Sequence, residues 1–422
     1  MKGCINKFEN GLRLVHKKID GVHSVAVGIY TAVGSNDEVD ENNGISHFIE
    51  HMLFKGTKKR DSFQIVKEID GLGAQVNAFT SKEMTCYYTL SVADCVENCV
   101  EILSDLFYNS TFPPQELEKE RGVVLEEIAM SEDTPDDLAV ENLAKIFFKG
   151  HSLGRPILGT AETISKLTSE DLLEYKQKMY TPHNTLICMV GDIDLDTAKS
   201  LTCKYFDCES VSEGALNTFD TAHDVKSQSI VINKPLEQAN IAIAFPALEF
   251  GNPNINALNL FNTIFGGGMS SKLFQQIREE LGLAYSVFSY PSAYINNGAL
   301  TIYVGTNPKT AEKAVKAIYE LIKDIKKNGL TEEELERGKK QLRGTYVLGQ
   351  ESTSSQMRIY GRYALFKDIC FDFDKMLEDI EKVTLDEINN IIKVIFDFDK
   401  VCVSYVGKEI DCDLLNVIKG NR

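Results

Sequence analysis

Nowhere in the 422 residues do 18 consecutive apolar residues occur, so the sequence offers no membrane-spanning helix. Its opening, MKGCINKFENGLRLVHKKID, has neither the apolar core of a secretory signal nor the Arg-rich, acid-poor character of a transit segment, and a cytoplasmic protein is expected. The ten cysteines, at 4, 86, 95, 99, 188, 203, 208, 370, 402 and 412, contain no C-x-x-C pair. With nothing pointing to secretion, they read as free thiols, largely buried, in a reducing compartment. Clusters of Lys and Arg are missing as well. A formal charge of −17 argues against a nucleic-acid binder, and it favours basic partners, basic peptides included, while also serving solubility. Gly266-Gly267-Gly268 lack the continuation of a phosphate loop, which argues against nucleotide binding.

Histidine is scarce too, with seven in the whole chain, yet two of them stand four residues apart around a glutamate in GISHFIEHMLFKGT. In a helix, rotation of about 100° per residue brings His47, Glu50 and His51 into one arc of the circumference. Two neutral imidazoles one turn apart can hold Zn²⁺ with a position left for water, whose pKa then drops from about 16 to about 7. Glu50 is placed to take that water's proton. The spacing is the inverted zinc-peptidase pattern H-x-x-E-H. The competing reading is a chance pairing of solvated histidines on a helix whose Phe48, Ile49, Met52 and Leu53 fill a core.

Length predicts two or more domains, and an apolar content of 43% with 25% charged residues is that of a soluble globular protein. After an early strand pair, SVAVGIYTAVGS reads as a buried strand that ends at Gly34. The polar turn NDEVDENNG leads into the histidine helix. FQIVKEIDGLG is a second helix, QVNAFTSKEMTCYYTLSV supplies two strands, and Asp94 is a candidate cap for the helix carrying Val96, Cys99, Val100, Leu103 and Phe107. Pro113-Pro114 then open a long helical stretch on which Glu116, Glu120 and Glu127 share one side, with Glu126 about 100° away. A carboxylate from that side is the natural third ligand; taken alone, the same residues read as a solvated acidic face. TPHNTLICMVGDID closes the first half with a strand, and 209–226 reads as a linker.

The second half repeats the first. HFIEHMLFKG aligns with LNLFNTIFGG at an offset of 211, QELEKERGVVLEE with EELERGKKQLRGT at 218, and the strand ending Val190-Gly191 with the one ending Val406-Gly407 at 216. In the copy His47, Glu50, His51 and Glu127 become Leu258, Phe261, Asn262 and Thr345. The polar set is lost together while the apolar frame stays, which points to one metal site, in the first half.

Five segments in order, HFIEHMLFKGT, NAFTSKEMTCYY, VVLEEIAMSEDTPDD, HSLGRPILGT and FGGGMSSKLFQQIREELGLAYSV, make the chain resemble the insulinase-like metallopeptidases, also called the pitrilysin family. Within that family it resembles the short bacterial processing-peptidase-like members and the mitochondrial processing peptidase β subunit. The resemblance implies an α+β fold of two homologous halves, 1–208 and 227–422, joined by 209–226. Each half would be a mainly antiparallel sheet covered by helices, the two facing each other as a clamshell. It selects Glu127 as third ligand of one Zn²⁺ per chain and makes Glu120 a support that orients His51. Arg278 and Tyr285, the matching R-x6-Y of the second half, are implied to complete the site, and Asn77-Ala78-Phe79 to be an edge strand to which substrate adds. The implied activity is zinc-dependent endopeptidase action on extended or unfolded peptides, with Glu50 as general base, and members of this length often form homodimers. Two alternatives are a non-catalytic scaffold subunit of the same family and an S-ribosylhomocysteine-lyase-type zinc enzyme. The intact metal set argues against the first, and the duplicated second half against the other.

Overall fold

The computed structural model of the protein describes residues 3–206, 208 and 220–421, so the expected linker lies outside the described residues over 209–219. The chain forms two compact units, one of Met1–Ile128, Arg155–Phe219 and Leu348–Asp372, the other of Ala129–Gly154, Asp220–Val347 and Phe373–Arg422. Among the described residues no helix is long and apolar enough to cross a membrane.

In the first unit, β1 (Cys4–Lys7), β2 (Arg13–Lys18), β3 (Ser24–Thr31), β4 (Gln75–Thr80), β5 (Thr85–Val92) and β6 (Thr185–Gly191) form a sheet in the order β1-β2-β6-β3-β5-β4. Only β2 and β6 run parallel. Successive residues of a strand point to opposite faces. Val25, Val27 and Ile29 of β3 therefore join one core with Phe48, Met52, Val100, Leu103, Val124 and Leu172 from the covering helices. The other residues of β3 are small or carry a hydroxyl. Gly28 lies so close to Met357 that a Cβ there would meet its sulfur at 2.8 Å, and the Tyr30 hydroxyl donates to Met357 O at 3.2 Å. That second face is covered by the helix Thr353–Lys367, which comes from the second half of the sequence.

The second unit is built the same way. Strands β7 (Gln228–Asn233), β8 (Ala239–Pro246), β9 (Ala284–Ala293), β10 (Gly298–Thr306) and β11 (Cys402–Gly407) form a sheet in the order β7-β11-β8-β10-β9, with β7 and β11 its one parallel pair. Apart from β1, this is the strand order of the first sheet. Ile241, Ile243 and Phe245 pack with Phe261, Ile318 and Ile392 on one face. Ala242 and Ala244 receive Ala139, Leu143 and Phe147 of the helix Pro135–Phe147 on the other.

Each sheet thus carries on its second face a helix from the opposite half of the sequence. The expected boundaries at 208 and 227 follow the repeat, whereas the compact units exchange 129–154 and 348–372. The reason is in the strands: β3 and β8 are buried on both sides, and such a sheet needs a layer on each.

The start of the histidine helix, Ile45–Leu53, is tied down from outside. Glu38, 2% exposed, accepts from Gly44 N at 2.7 Å, Ser46 N at 2.9 Å and Asn43 Nδ2 at 2.8 Å, which satisfies N–H groups a helix start leaves open. Gly44 has φ +95° and Gly159 φ +76°, and a Cβ on Gly159 would lie 2.8 Å from Gly44 Cα. No side chain fits between these backbones. Gly159→Ala should cost about 2–4 kcal/mol, from a strained φ together with forced backbone separation. Denaturant melts of the metal-free protein measure it, and a loss below about 0.5 kcal/mol would show that the contact is soft.

Candidate metal centre

His47 and His51 stand one turn apart on Ile45–Leu53, whose Phe48, Ile49, Met52 and Leu53 are buried in the first core. Their rings meet edge to face, centroids 4.7 Å apart. The long helix Pro114–Asp133 supplies the carboxylates, seated on that core by Leu117, Val124 and Ile128. Arg121 anchors it further: the guanidinium donates to the carbonyls of Ile164 and Leu167 and lies 5.7 Å from the Phe48 ring centre.

On this packing, Glu127 Oε2 comes 3.7 Å from His47 Nε2 and 3.5 Å from His51 Nε2. The three donor atoms all lie within 4.8 Å of one another. A tetrahedral ion with bonds of about 2.0–2.1 Å spaces its ligand atoms about 3.3–3.4 Å apart, so the two imidazole–carboxylate separations are already close to those around a divalent metal. Two nitrogens and one carboxylate oxygen are the donor set of a zinc site with an open position. Glu120, 7% exposed, accepts from His51 Nδ1 at 3.1 Å and from Lys55 Nζ at 2.7 Å. His51 is thereby turned so that its Nε2 faces Glu127. His47 Nδ1 is buried without a hydrogen-bond partner among the described residues, so packing alone orients that ring. Of the other candidates on the acidic face, Glu116 pairs with Lys119 at 2.6 Å, and Glu126 is exposed.

Glu50 accepts a hydrogen bond from the Thr80 hydroxyl, a contact the sequence reading did not anticipate. Burial pushes the Glu50 pKa up; the Thr80 bond and His51 oppose this, and Glu127 adds to it. Burial, and then the neighbouring His51, lowers His47 to about 4, so that ring is neutral at pH 7. Asn77, Ala78 and Phe79 lie on β4, the last strand of its sheet, with Ala78 N donating to Asn77 Oδ1 at 2.8 Å. Arg358, also unforeseen, stacks 5.4 Å from the ring centres of Phe79 and Tyr88.

Arg278 and Tyr285 belong to the second unit. Arg278 sits in a π-helical turn, Phe274–Glu280, and its guanidinium lies 4.7 Å from the Phe274 ring centre and 5.1 Å from that of Tyr285. Such wide turns are rare in helices and occur often at functional sites. Both residues line a groove of about 440 Å³ with Gly266, Gly267 and Gly268, and Tyr285 is 79% exposed. At the positions matching the metal set, Leu258 and Phe261 are fully buried, Asn262 Oδ1 accepts from Ser289 at 2.7 Å and Thr345 bonds to Gln341 O.

The fold, with its H-x-x-E-H helix and remote glutamate, defines a metallopeptidase class of two repeated sheets. Residues 13–161 match the family model for insulinase, peptidase family M16, and 166–342 match that for the peptidase M16 inactive domain. An uncharacterized zinc protease of Bacillus subtilis is 39% identical over 391 residues, 93% of this chain and 95% of that protein. One of Rickettsia felis is 39% identical over 399 residues, covering 93% and 94%. The chain therefore belongs to the insulinase-like peptidase family M16. Among solved structures, a peptidase M16 inactive domain from Pseudomonas fluorescens superposes with a TM-score of 0.91 at 21% identity, covering 98% of this chain and 99% of that one. A protease from Helicobacter pylori gives 0.90 at 20%, covering 96% and 99%. Both show the same fold.

Because His47 is held near 4 in the metal-free fold and lies near 6.5 when unfolded, the unfolded chain binds the extra proton first as pH falls. The contribution is complete above about pH 6.5 and is lost as the pH drops towards 4, about 3 kcal/mol in all. Melting the metal-free protein across that range, beside His47→Gln, should show a steeper fall for the parent. Equal slopes would mean that His47 does not titrate this way.

Proposed function

We propose that the protein is a zinc-dependent endopeptidase that hydrolyses extended or unfolded peptides, with His47, His51 and Glu127 holding one zinc per chain. The observation that supports this best is the convergence of those three donors within 4.8 Å, with Glu50 on the same helix arc. Relatives that bear the name zinc protease support it too. When bound, zinc supplies Lewis acidity, bringing the pKa of water at the site to about 7 and polarising the peptide carbonyl.

The side chains do the rest. Glu50 takes the proton of the attacking water and returns it to the leaving amine; its burial raises its basicity, which suits that exchange near neutral pH. Glu120 keeps His51 in the orientation and tautomer that leave Nε2 to the metal. The substrate adds to the open edge of β4 at Asn77, Ala78 and Phe79, through main-chain hydrogen bonds that any sequence can make. Tyr285 donates to the oxygen on which charge develops, and Arg278 holds the tyrosine or pairs with the peptide backbone.

An internally quenched, unstructured peptide tests the reading. Glu50→Gln should keep its zinc and lower kcat by about 10²- to 10⁴-fold. Chelation should abolish cleavage and added zinc restore it; cleavage that survives both chelation and Glu50→Gln contradicts the proposal. Tyr285→Phe should lower kcat by about 10- to 10²-fold and leave KM nearly unchanged, since its bond strengthens only as charge develops. A defect confined to KM would assign Tyr285 to binding.

A further inference from the structure

We propose that Thr80 is the positioning residue of the general base: its hydroxyl fixes the plane of the Glu50 carboxylate, so that one oxygen is held and the other is presented to water. The inference rests on the reading of Glu50 as that base. A helix fixes the Cα and Cβ of a glutamate, but the last torsion of its side chain is broad, so the backbone alone does not aim the carboxylate. Thr80 Oγ1 donates to Glu50 Oε2 and removes that freedom.

Alternation along β4 carries the argument further. Val76 and Ala78 face the apolar core of the first unit, and Thr80 is the next residue on that face. A hydroxyl thus replaces an apolar side chain where the strand reaches Glu50. The residue is itself rigidly held. Thr80 pairs with Thr85, whose Oγ1 donates to Val33 O at 2.9 Å, and the turn between them is closed by Ser81 N and Oγ, both donating to Met84 O at 2.8 Å. A β-branched side chain adds a stiff χ1, so the hydroxyl is preset before substrate arrives.

Thr80 is also the last residue of the strand whose outer edge is open in its sheet. A peptide that docks along this edge bears on the same strand that aims the base. The strand therefore has two roles, separable by experiment: its main chain places the peptide, and the Thr80 hydroxyl sets turnover.

The test uses the zinc-loaded full chain and the quenched peptide, with Thr80→Val, Thr80→Ser, Glu50→Gln and the Thr80→Val/Glu50→Gln double variant. Thr80→Val, of equal shape, should lower kcat by about 10- to 10²-fold, the cost of a misaimed reacting group, with KM, zinc content and melting temperature unchanged. Thr80→Ser should recover to within about fivefold of the parent, and in the Glu50→Gln background Thr80→Val should add nothing further. Crystal structures of metal-free parent and Thr80→Val should show the Glu50 carboxylate turned away in the variant. Parental kcat in Thr80→Val, no rescue by serine, an additive double variant, or an unmoved carboxylate would each overturn the proposal. Failure of the peptidase reading shows separately, as a parent that cleaves nothing or a Glu50→Gln variant as active as the parent. In that case the metal-free crystal structures still decide whether Thr80 aims the carboxylate.

Discussion

The Glu120 carboxylate, shared between His51 Nδ1 and Lys55 Nζ, is the contact on which the site depends. A partner on one nitrogen of an imidazole fixes its tautomer and turns the other nitrogen toward a metal, and for His51 a buried carboxylate does so while a lysine balances its charge. The arrangement holds because Leu117, Val124 and Ile128 fasten the carboxylate helix to the core that holds Phe48 and Met52. Apolar packing fixes the angle between two helices, and that angle brings Glu120 and Glu127 to their partners. Among the described residues no lysine pairs with Glu127; its close neighbours are two imidazoles and, farther off, the carboxylate of Glu50. Two carboxylates near each other on a partly desolvated surface repel, and a dication held by the imidazoles and Glu127 would offset that cost.

The second unit shows what the fold does without this chemistry. Its strand order and single parallel pair match those of the first, so the architecture does not need the polar set. Where the first unit spends burial on an imidazole, the second has Leu258, and at the Glu50 position Phe261 stacks on Phe265 with centroids 5.2 Å apart. Apolar groups stabilise that place, whereas buried polar groups must find partners. Folding alone therefore gives no reason for His47, Glu50, His51 and Glu127 to stand in the first unit.

Periodicity made much of this legible. The histidine helix, the strands on either side of Ser81–Met84, the start of the long helix at Pro114 and the internal repeat follow from spacing and turn residues, and the structure has them. Single-residue angles put Glu116, Glu120 and Glu127 on one side of their helix, and in the structure Glu127 faces the two histidines while Glu126 is exposed. The exchange of Pro135–Phe147 and Thr353–Lys367 was not legible, since an amphipathic helix does not state which sheet it covers. A trace existed in the small residues Ala26, Gly28, Ala242 and Ala244, which leave room for a close helix on the second face of each sheet. Asp94 does not cap the helix that follows; it lies in a 3-10 turn, Ala93–Cys95, and Cys95 holds the N-cap position. The bond from Thr80 to Glu50 leaves no signature in spacing, because it arises only when separate segments meet.

The β4 edge makes one more demand on the sequence. An open strand edge invites pairing with any extended chain, and proteins protect such edges. Here Asn77 folds its amide oxygen onto the N–H of Ala78 and covers the group a neighbouring strand would use. A peptide docking there exchanges one hydrogen bond for another, and such exchanges yield little net free energy. On the proposed reading, main-chain pairing supplies register and breadth and contributes little affinity, so preference among peptides must come from side-chain contacts beside the strand. The aromatic patch of Phe79, Tyr88 and Arg358 is one such surface in the first unit, and its stacked guanidinium gives it both an apolar and a cationic character.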